Sequence, residues 1–225
     1  MANLPEDCLA ETPPFQNVGM DVFGPFVIQN VTGTRSSKGT RKIWALILVC
    51  LPSRAVHLEK LIALDTTTFI NAVHRFTNRR GACRIIRSDN GANFLGPQNQ
   101  IKNLSIFRVS QELGRKNISW ELNPPHASHF GGVWERKIGS VRHILEGSLL
   151  KMGNRGITRD EFETMLTSAE SIVNNTPLWA LSSDPNNPMP LSPAMLLTLR
   201  DQPYSAYDDD INEENLNDYG PRRHR

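Results

Sequence analysis

The chain has 225 residues, 39% of them apolar and 21% charged, with a formal net charge of +2. That length suits one large domain or two small ones, and the composition supplies a core, which excludes a disordered or fibrous polypeptide. Its longest unbroken apolar run, Ile43 to Leu51, falls far short of the roughly 20 residues a bilayer span needs, so no membrane partner is expected.

The N-terminal stretch MANLPEDCLAETPPF carries acids early and no apolar segment, so it does not read as a secretory signal. Val18 to Val27 alternates and is β-rich, with Gly24-Pro25 interrupting it; the polar VIQNVTGTRSSKGT that follows reads as a hairpin connection. IWALILVCL is apolar throughout, as expected of a central strand buried on both faces. RAVHLEKL follows Pro52 as a third strand, giving an antiparallel meander. The period then changes. Asp65-Thr66-Thr67-Thr68 caps a helix through FINAVHRFTNRRG, with Phe69, Ala72, Val73 and Phe76 on one face and Gly81 as its stop.

CRIIRSDNG reads as a short strand ending in a polar turn, the second half of FLGPQNQIKNLSIFRVSQELGRKN as a helix, and ISWEL as a fifth strand closed by Pro124-Pro125. The pattern from Val133 to Met152 is helical, and TRDEFETMLTSAESIVNNTP adds a helix with a Thr158/Glu161 capping box. The order βββαβαβαα predicts an α/β fold: a mixed five-stranded sheet, a three-stranded antiparallel meander plus two further strands, with helices packed on it.

Charge is uneven. Residues 201–225 hold seven acids and three arginines, so the first 200 residues carry 22 Lys+Arg against 16 Asp+Glu, a net of +6. A basic body suits a polyanionic partner. The run YDDDINEENLNDYG reads as an acidic mobile tail or linker, and the terminal GPRRHR as a truncation point. The expected organisation is an N-terminal extension over 1–15, a core over 16–200 and the tail over 201–225. Three cysteines, Cys8, Cys50 and Cys83, with no CxxC pair, argue against a disulfide scaffold and against zinc, and the expectation is a reduced intracellular protein.

Three carboxylates invite a chemical reading. Asp21 lies inside the first strand, where an acid is costly unless paired or metal-bound. Asp89 ends the fourth strand, where a sheet edge meets a loop. Glu135 opens the long helix. Each also has a structural reading: an edge residue facing water, an Asp-Asn-Gly turn, and a first-turn acid favoured by the helix dipole. On the helix, Trp134, Ile138, Val141, Leu145 and Leu149 form the core stripe, while Gly139 and Arg142 follow Glu135 on one flank at i+4 and i+7. Gly139 either clears space beside the carboxylate for a large ligand or packs against another element; Arg142 is placed to reach a phosphate. Gly131-Gly132 reads as a hinged loop ahead of the helix. Three acids from two strand ends and a helix start are able to hold one or two Mg²⁺ ions, which serve phosphodiester chemistry. A two-carboxylate glycosidase would leave the third acid unexplained.

The motifs MDVFGPF (20–26), SRAVHLE (53–59), RSDNGANF (87–94) and HFGGVWERKIGSVRHIL (129–145), with PLSPAMLL (190–197), resemble a retroviral-type integrase catalytic core, nearest to the BEL/Pao class of LTR retrotransposons. The likeness runs in order over about residues 5–200. It implies an RNase H-like fold, helices on both faces of the sheet, and an Asp21, Asp89, Glu135 triad that is both catalytic and metal-binding, with Mg²⁺ as cofactor and Mn²⁺ as substitute. Forty-five residues separate Asp89 from Glu135, more than the thirty-five usual in retroviral integrases and similar to the BEL/Pao spacing. The implied activity is 3′-end processing followed by attack of the freed 3′-hydroxyl on target DNA, with double-stranded DNA of the element ends and target as partners, a homodimer or higher oligomer, and nuclear localisation or a cytoplasmic particle beforehand. Asn93 is a plausible DNA contact of the family, and its alternative is turn stabilisation. His126, His129, Arg136, Lys137, Gly139, Arg142 and His143 complete the candidate DNA-binding set, although a solvated helix face explains Arg136 and Lys137 equally well. His57 reads as structural. The family's N-terminal zinc-binding and C-terminal DNA-binding domains have no counterpart in this sequence, so a catalytically silent remnant that binds DNA or protein is the second reading.

Overall fold

The computed structural model describes residues 11–30, 39–88, 105–122, 128–152, 156–178 and 191–200. Ten elements follow in chain order: β1 (Asn17–Asn30), β2 (Gly39–Cys50), β3 (Val56–Leu61), α1 (Thr66–Arg80), β4 (Ile85–Ser88), α2 (Ile106–Gly114), β5 (Ser119–Leu122), α3 (Ser128–Met152), α4 (Arg159–Asn175) and α5 (Pro193–Thr198). The strands form one sheet in the order β3-β2-β1-β4-β5. β1, β2 and β3 pair antiparallel, whereas β4 joins β1 and β5 joins β4 in parallel.

Period-two alternation sorts the strands' side chains between two apolar layers. Ile43, Ala45, Ile47 and Val49 of β2 pack with α3 and α4, while Leu46, Leu48 and Cys50 pack with α1 and α2. That double burial is why β2 reads as a continuous apolar run, each large side chain contributing about 1.5–3 kcal/mol. In β1, Val18, Met20 and Val22 face α1 and α2, which leaves Gly19, Asp21 and Phe23 on the α3 face. Beyond Phe23 one extra residue enters β1: Phe23 pairs with Ala45 but Phe26 with Ile43. Gly24, at φ 128, supplies this bulge, and it keeps Phe26 and Ile28 on the same layer as Phe23.

The outward edge of β3 is closed by side chains. Val56 N–H donates to Asn174 Oδ1 at 2.7 Å and Val56 C=O accepts from Asn174 Nδ2 at 2.8 Å. Leu58 N–H donates to Glu170 Oε2 at 2.8 Å, and Lys60 C=O accepts from Arg75 Nη2 at 3.1 Å. The amide of Asn174 thus imitates a neighbouring strand, and α4 and α1 together occupy hydrogen-bonding positions that a further strand would need.

The caps fall where the sequence puts them: Asp65 and Gly81 bound α1, and the Thr158/Glu161 capping box opens α4. α3 differs. It begins at Ser128, so Gly131 and Gly132 lie inside the helix and not in a hinged loop ahead of it. Glu135 accordingly stands two turns into α3 and is no first-turn acid. α5, capped by Ser192 with Pro193 in its first turn, was not among the predicted helices. Phe15, 1% exposed, is buried with α1, its N–H donating to Cys50 Sγ at 3.2 Å. Cys50 and Cys83 are buried free thiols, and burial pushes the Cys83 thiol up to about 11. No helix of the described residues is long and apolar enough to cross a membrane.

Candidate active site

Trp134 of α3 packs directly on β1 at Gly19. A Cβ there would lie 2.2 Å from Trp134 Cε3 and 2.7 Å from Cζ3, so the indole occupies the volume of a side chain. Eight residues further along α3, the Arg142 guanidinium stands 5.6 Å from the ring centroid of Phe23. Eight helical residues advance roughly 12 Å and four strand residues roughly 13 Å. Helix and strand therefore progress together, and Asp21 lies between the two anchor points, on the sheet face that α3 covers.

Trp134, Ile138, Val141 and Leu145 are buried toward the sheet, and Leu149 packs at the margin of the same layer. At 100° per residue, Glu135, Gly139 and Arg142 share one flank of the helix beside that stripe. Glu135 and Arg142 are exposed, and a Cβ at Gly139 would meet nothing within 4 Å. Gly139 is therefore not a close-packing glycine; of its two sequence readings, open space beside Glu135 is the one observed. Asp21 is half-buried, and its Oδ1 accepts from the Val22 N–H at 2.7 Å.

β4 leads toward the same region. It runs parallel to β1 with Gly19 opposite Arg87 and Met20 opposite Ser88, one residue short of Asp21. Its end is held by Trp120, whose indole N–H donates to Ser88 Oγ at 2.9 Å, and by the Arg87–Glu121 ion pair at 2.8 Å. Asp89, Asn93 and His126 lie outside the described residues. His129 falls in the first turn of α3 and not in a loop.

The basic residues of α3 separate by flank. Arg136 and His143 are exposed on the side away from the core. Lys137 is on the opposite flank from Glu135, where burial and then the like charges of Arg54 and Arg136 pull its ammonium below the ordinary lysine value. Arg54, at φ 60 in the turn between β2 and β3, was not singled out from the sequence; its backbone conformation gave no signal there. Gly19 was likewise missed, although it sits two residues before Asp21.

Asp21 and Glu135 offer the hard oxygen donors that a divalent cation prefers. Among the described residues no group of three or more His, Cys, Asp or Glu side chains gathers as a metal site.

Comparison with solved structures gives the fold its class. The chain is similar to one from the simian T-cell lymphotropic virus intasome in complex with the PP2A regulatory subunit B56 gamma, at 13% identity and a TM-score of 0.55, covering 83% of this chain and 55% of that one. This chain thus spans about half the length of that relative. It is also similar to the HTLV-2 integrase catalytic core domain in complex with magnesium, trimeric form, at 17% identity and a TM-score of 0.50, covering 82% of this chain and 97% of that one. No protein-family model and no curated protein sequence matches. The fold is that of the retroviral integrase catalytic core, RNase H-like, with a mixed five-stranded sheet between helical layers.

Proposed function

We propose that this chain is the catalytic core of an integrase of the BEL/Pao class of LTR retrotransposons, a divalent-metal-dependent polynucleotidyl transferase that processes DNA 3′ ends and joins them to target DNA. The observation that carries this reading is the sharing of one sheet face by Asp21 and the flank of α3 bearing Glu135, Gly139 and Arg142, within an integrase-core fold. The parallel register Gly19–Arg87, Met20–Ser88 brings the end of β4 to within one residue of Asp21.

In this reading Asp21, Asp89 and Glu135 are the oxygen ligands of Mg²⁺, or of Mn²⁺ in its place. Held by those carboxylates, such an ion would supply charge neutralisation at a phosphate and a lowered pKa for bound water. Gly139 leaves room for a DNA backbone against α3, and Arg142, exposed on the same flank, meets a phosphate. Arg136, His143, His129, His126 and Asn93 are secondary contacts, with Lys137 facing a different side. The core spans residues 16–200 and the acidic stretch 201–225 is a linker. The working form is a homodimer or larger assembly on double-stranded DNA in the nucleus.

Incubation of the full chain with Mn²⁺ and a branched DNA that mimics the joined product tests this. Strand-transfer or reversal products that vanish in Asp21→Asn support it. DNA binding without turnover would favour a catalytically silent remnant.

A further inference from the structure

The β3 edge of the sheet carries an ionic network apart from the candidate active site. His57 and Glu59 of β3 are 2% and 3% exposed and point to the α1 side, with the rings of Phe15 and Phe76 edge-on or tilted against the imidazole. Glu59 accepts from Arg75 Nε at 2.6 Å and from Arg79 Nη1 at 3.1 Å, both from α1. Glu170, from α4 in the opposite helical layer, reaches around the edge, takes the Leu58 N–H, and pairs with Arg80 of α1. The charged groups around the imidazole are thus Glu59 from β3, Arg80 from α1 with Arg75 and Arg79 behind it, and Glu170 from α4.

The two ring nitrogens are not equivalent. Nε2 faces Glu59 Oε1 at 3.1 Å and donates to it in either charge state. Nδ1 faces two groups at once: Arg80 Nε at 3.2 Å and Glu170 Oε2 at 3.4 Å. These contacts are mutually exclusive. A bare Nδ1 accepts from the guanidinium and repels the carboxylate, while a protonated Nδ1 donates to the carboxylate and confronts a second donor.

We propose that His57 is a proton-operated coupling between the two helical layers, bonded at Nδ1 to Arg80 when neutral and to Glu170 when charged. Taking up one proton breaks the Arg80 Nε–H to Nδ1 hydrogen bond and forms one from Nδ1–H to Glu170 Oε2. Arg80 remains tied to Glu170 through its Nη2 and so is released only from the strand. The exchange adds one bond from α1 to β3 at high pH and one from β3 to α4 at low pH, beside the Arg79–Glu59, Asn174–Val56 and Glu170–Leu58 contacts that hold in both states. Burial opposes the charged imidazole, but the hydrogen bonds to Glu170 and Glu59 outweigh it and raise the group, so the exchange falls above the ordinary histidine value.

The test is an NMR titration of the full chain carrying ¹⁵N-labelled histidine and arginine. The Nδ1 resonance of His57 and the Nε–H resonance of Arg80 should move with one shared midpoint, and Glu170→Gln should lower that midpoint whereas Arg80→Gln raises it. An Arg80 Nε–H signal that stays fixed while His57 titrates overturns the proposal, as does a His57 Nδ1 that never protonates. Should one variant fail to fold, the shared midpoint in the unmodified chain and the direction of the other variant decide the matter.

Discussion

Trp134 and Gly19 share one volume: the six-membered ring of the indole sits where a β-carbon at residue 19 would be, 2.2 Å from it at the nearest atom. The contact seats α3 on β1 two residues before Asp21 and one residue before Glu135. Gly19→Ala must therefore push the helix or the ring away. Overpacking of this kind costs about 1–3 kcal/mol, to be read as a lowered urea midpoint with an unchanged m-value. Trp134→Phe should relieve part of the strain in the double variant; strictly additive losses would show that the two residues do not share this space.

Asn174 is predicted to be worth more than an ordinary polar contact. Asn174→Ala leaves both the N–H and the C=O of Val56 without partners at a buried edge. Each orphaned buried group costs about 1–3 kcal/mol, so the variant should unfold at clearly lower urea. Asn174→Asp keeps the acceptor, loses the donor, and should fall between the two. An alanine variant as stable as the parent would contradict the edge-closing role.

Stability should have a plateau in mildly acidic solution. The guanidinium and imidazole partners hold Glu59 and Glu170 below the ordinary carboxylate value against the opposing effect of burial. Their stabilisation is complete above about pH 4.3 and is lost as pH falls through the lower folded-state values. His57 is raised, so its contribution is complete below about pH 6.5 and is lost as pH climbs through its folded-state value. Thermal midpoints measured across this range should drop on both sides, and His57→Gln should flatten the alkaline limb while also weakening the acid limb, because the imidazole helps hold both carboxylates low. An identical alkaline slope in that variant would refute the assignment.

Gly139 separates helix stability from function. A β-carbon there meets nothing, and alanine favours a helix interior over glycine by about 0.8–1 kcal/mol. Gly139→Ala should accordingly raise the thermal midpoint while weakening DNA binding, and Gly139→Leu should weaken it further. Unaltered DNA affinity in both variants would remove the flank of α3 from the DNA interface.

The elements most legible in the sequence are those whose local chemistry and burial agree. The run Ile43–Leu51 announced a doubly buried strand, Asp65 and Gly81 bounded α1, and Thr158 with Glu161 opened α4. The start of α3 was misread because paired glycines cost helix stability, and the sequence does not reveal the tertiary packing of Trp134 that compensates. α5 spans only six residues and carries too little pattern to stand out. Within the site, Asp21 and the flank of Glu135, Gly139 and Arg142 were readable from strand context and helical spacing. The network of His57 was not, since Glu170 stands far along the chain and reaches His57 from the other helical layer. Nor was the crowding of Lys137 by Arg54, which depends on how α3 crosses the turn after β2.

The central claim is that Asp21, Asp89 and Glu135 act together on DNA. Its most direct test is the Mn²⁺-dependent reaction of branched DNA with the full chain and with Asp21→Asn, Asp89→Asn and Glu135→Gln, each checked for a native unfolding transition. The account predicts turnover in the parent chain and background levels in all three folded variants. Undiminished turnover in any one of them would contradict it.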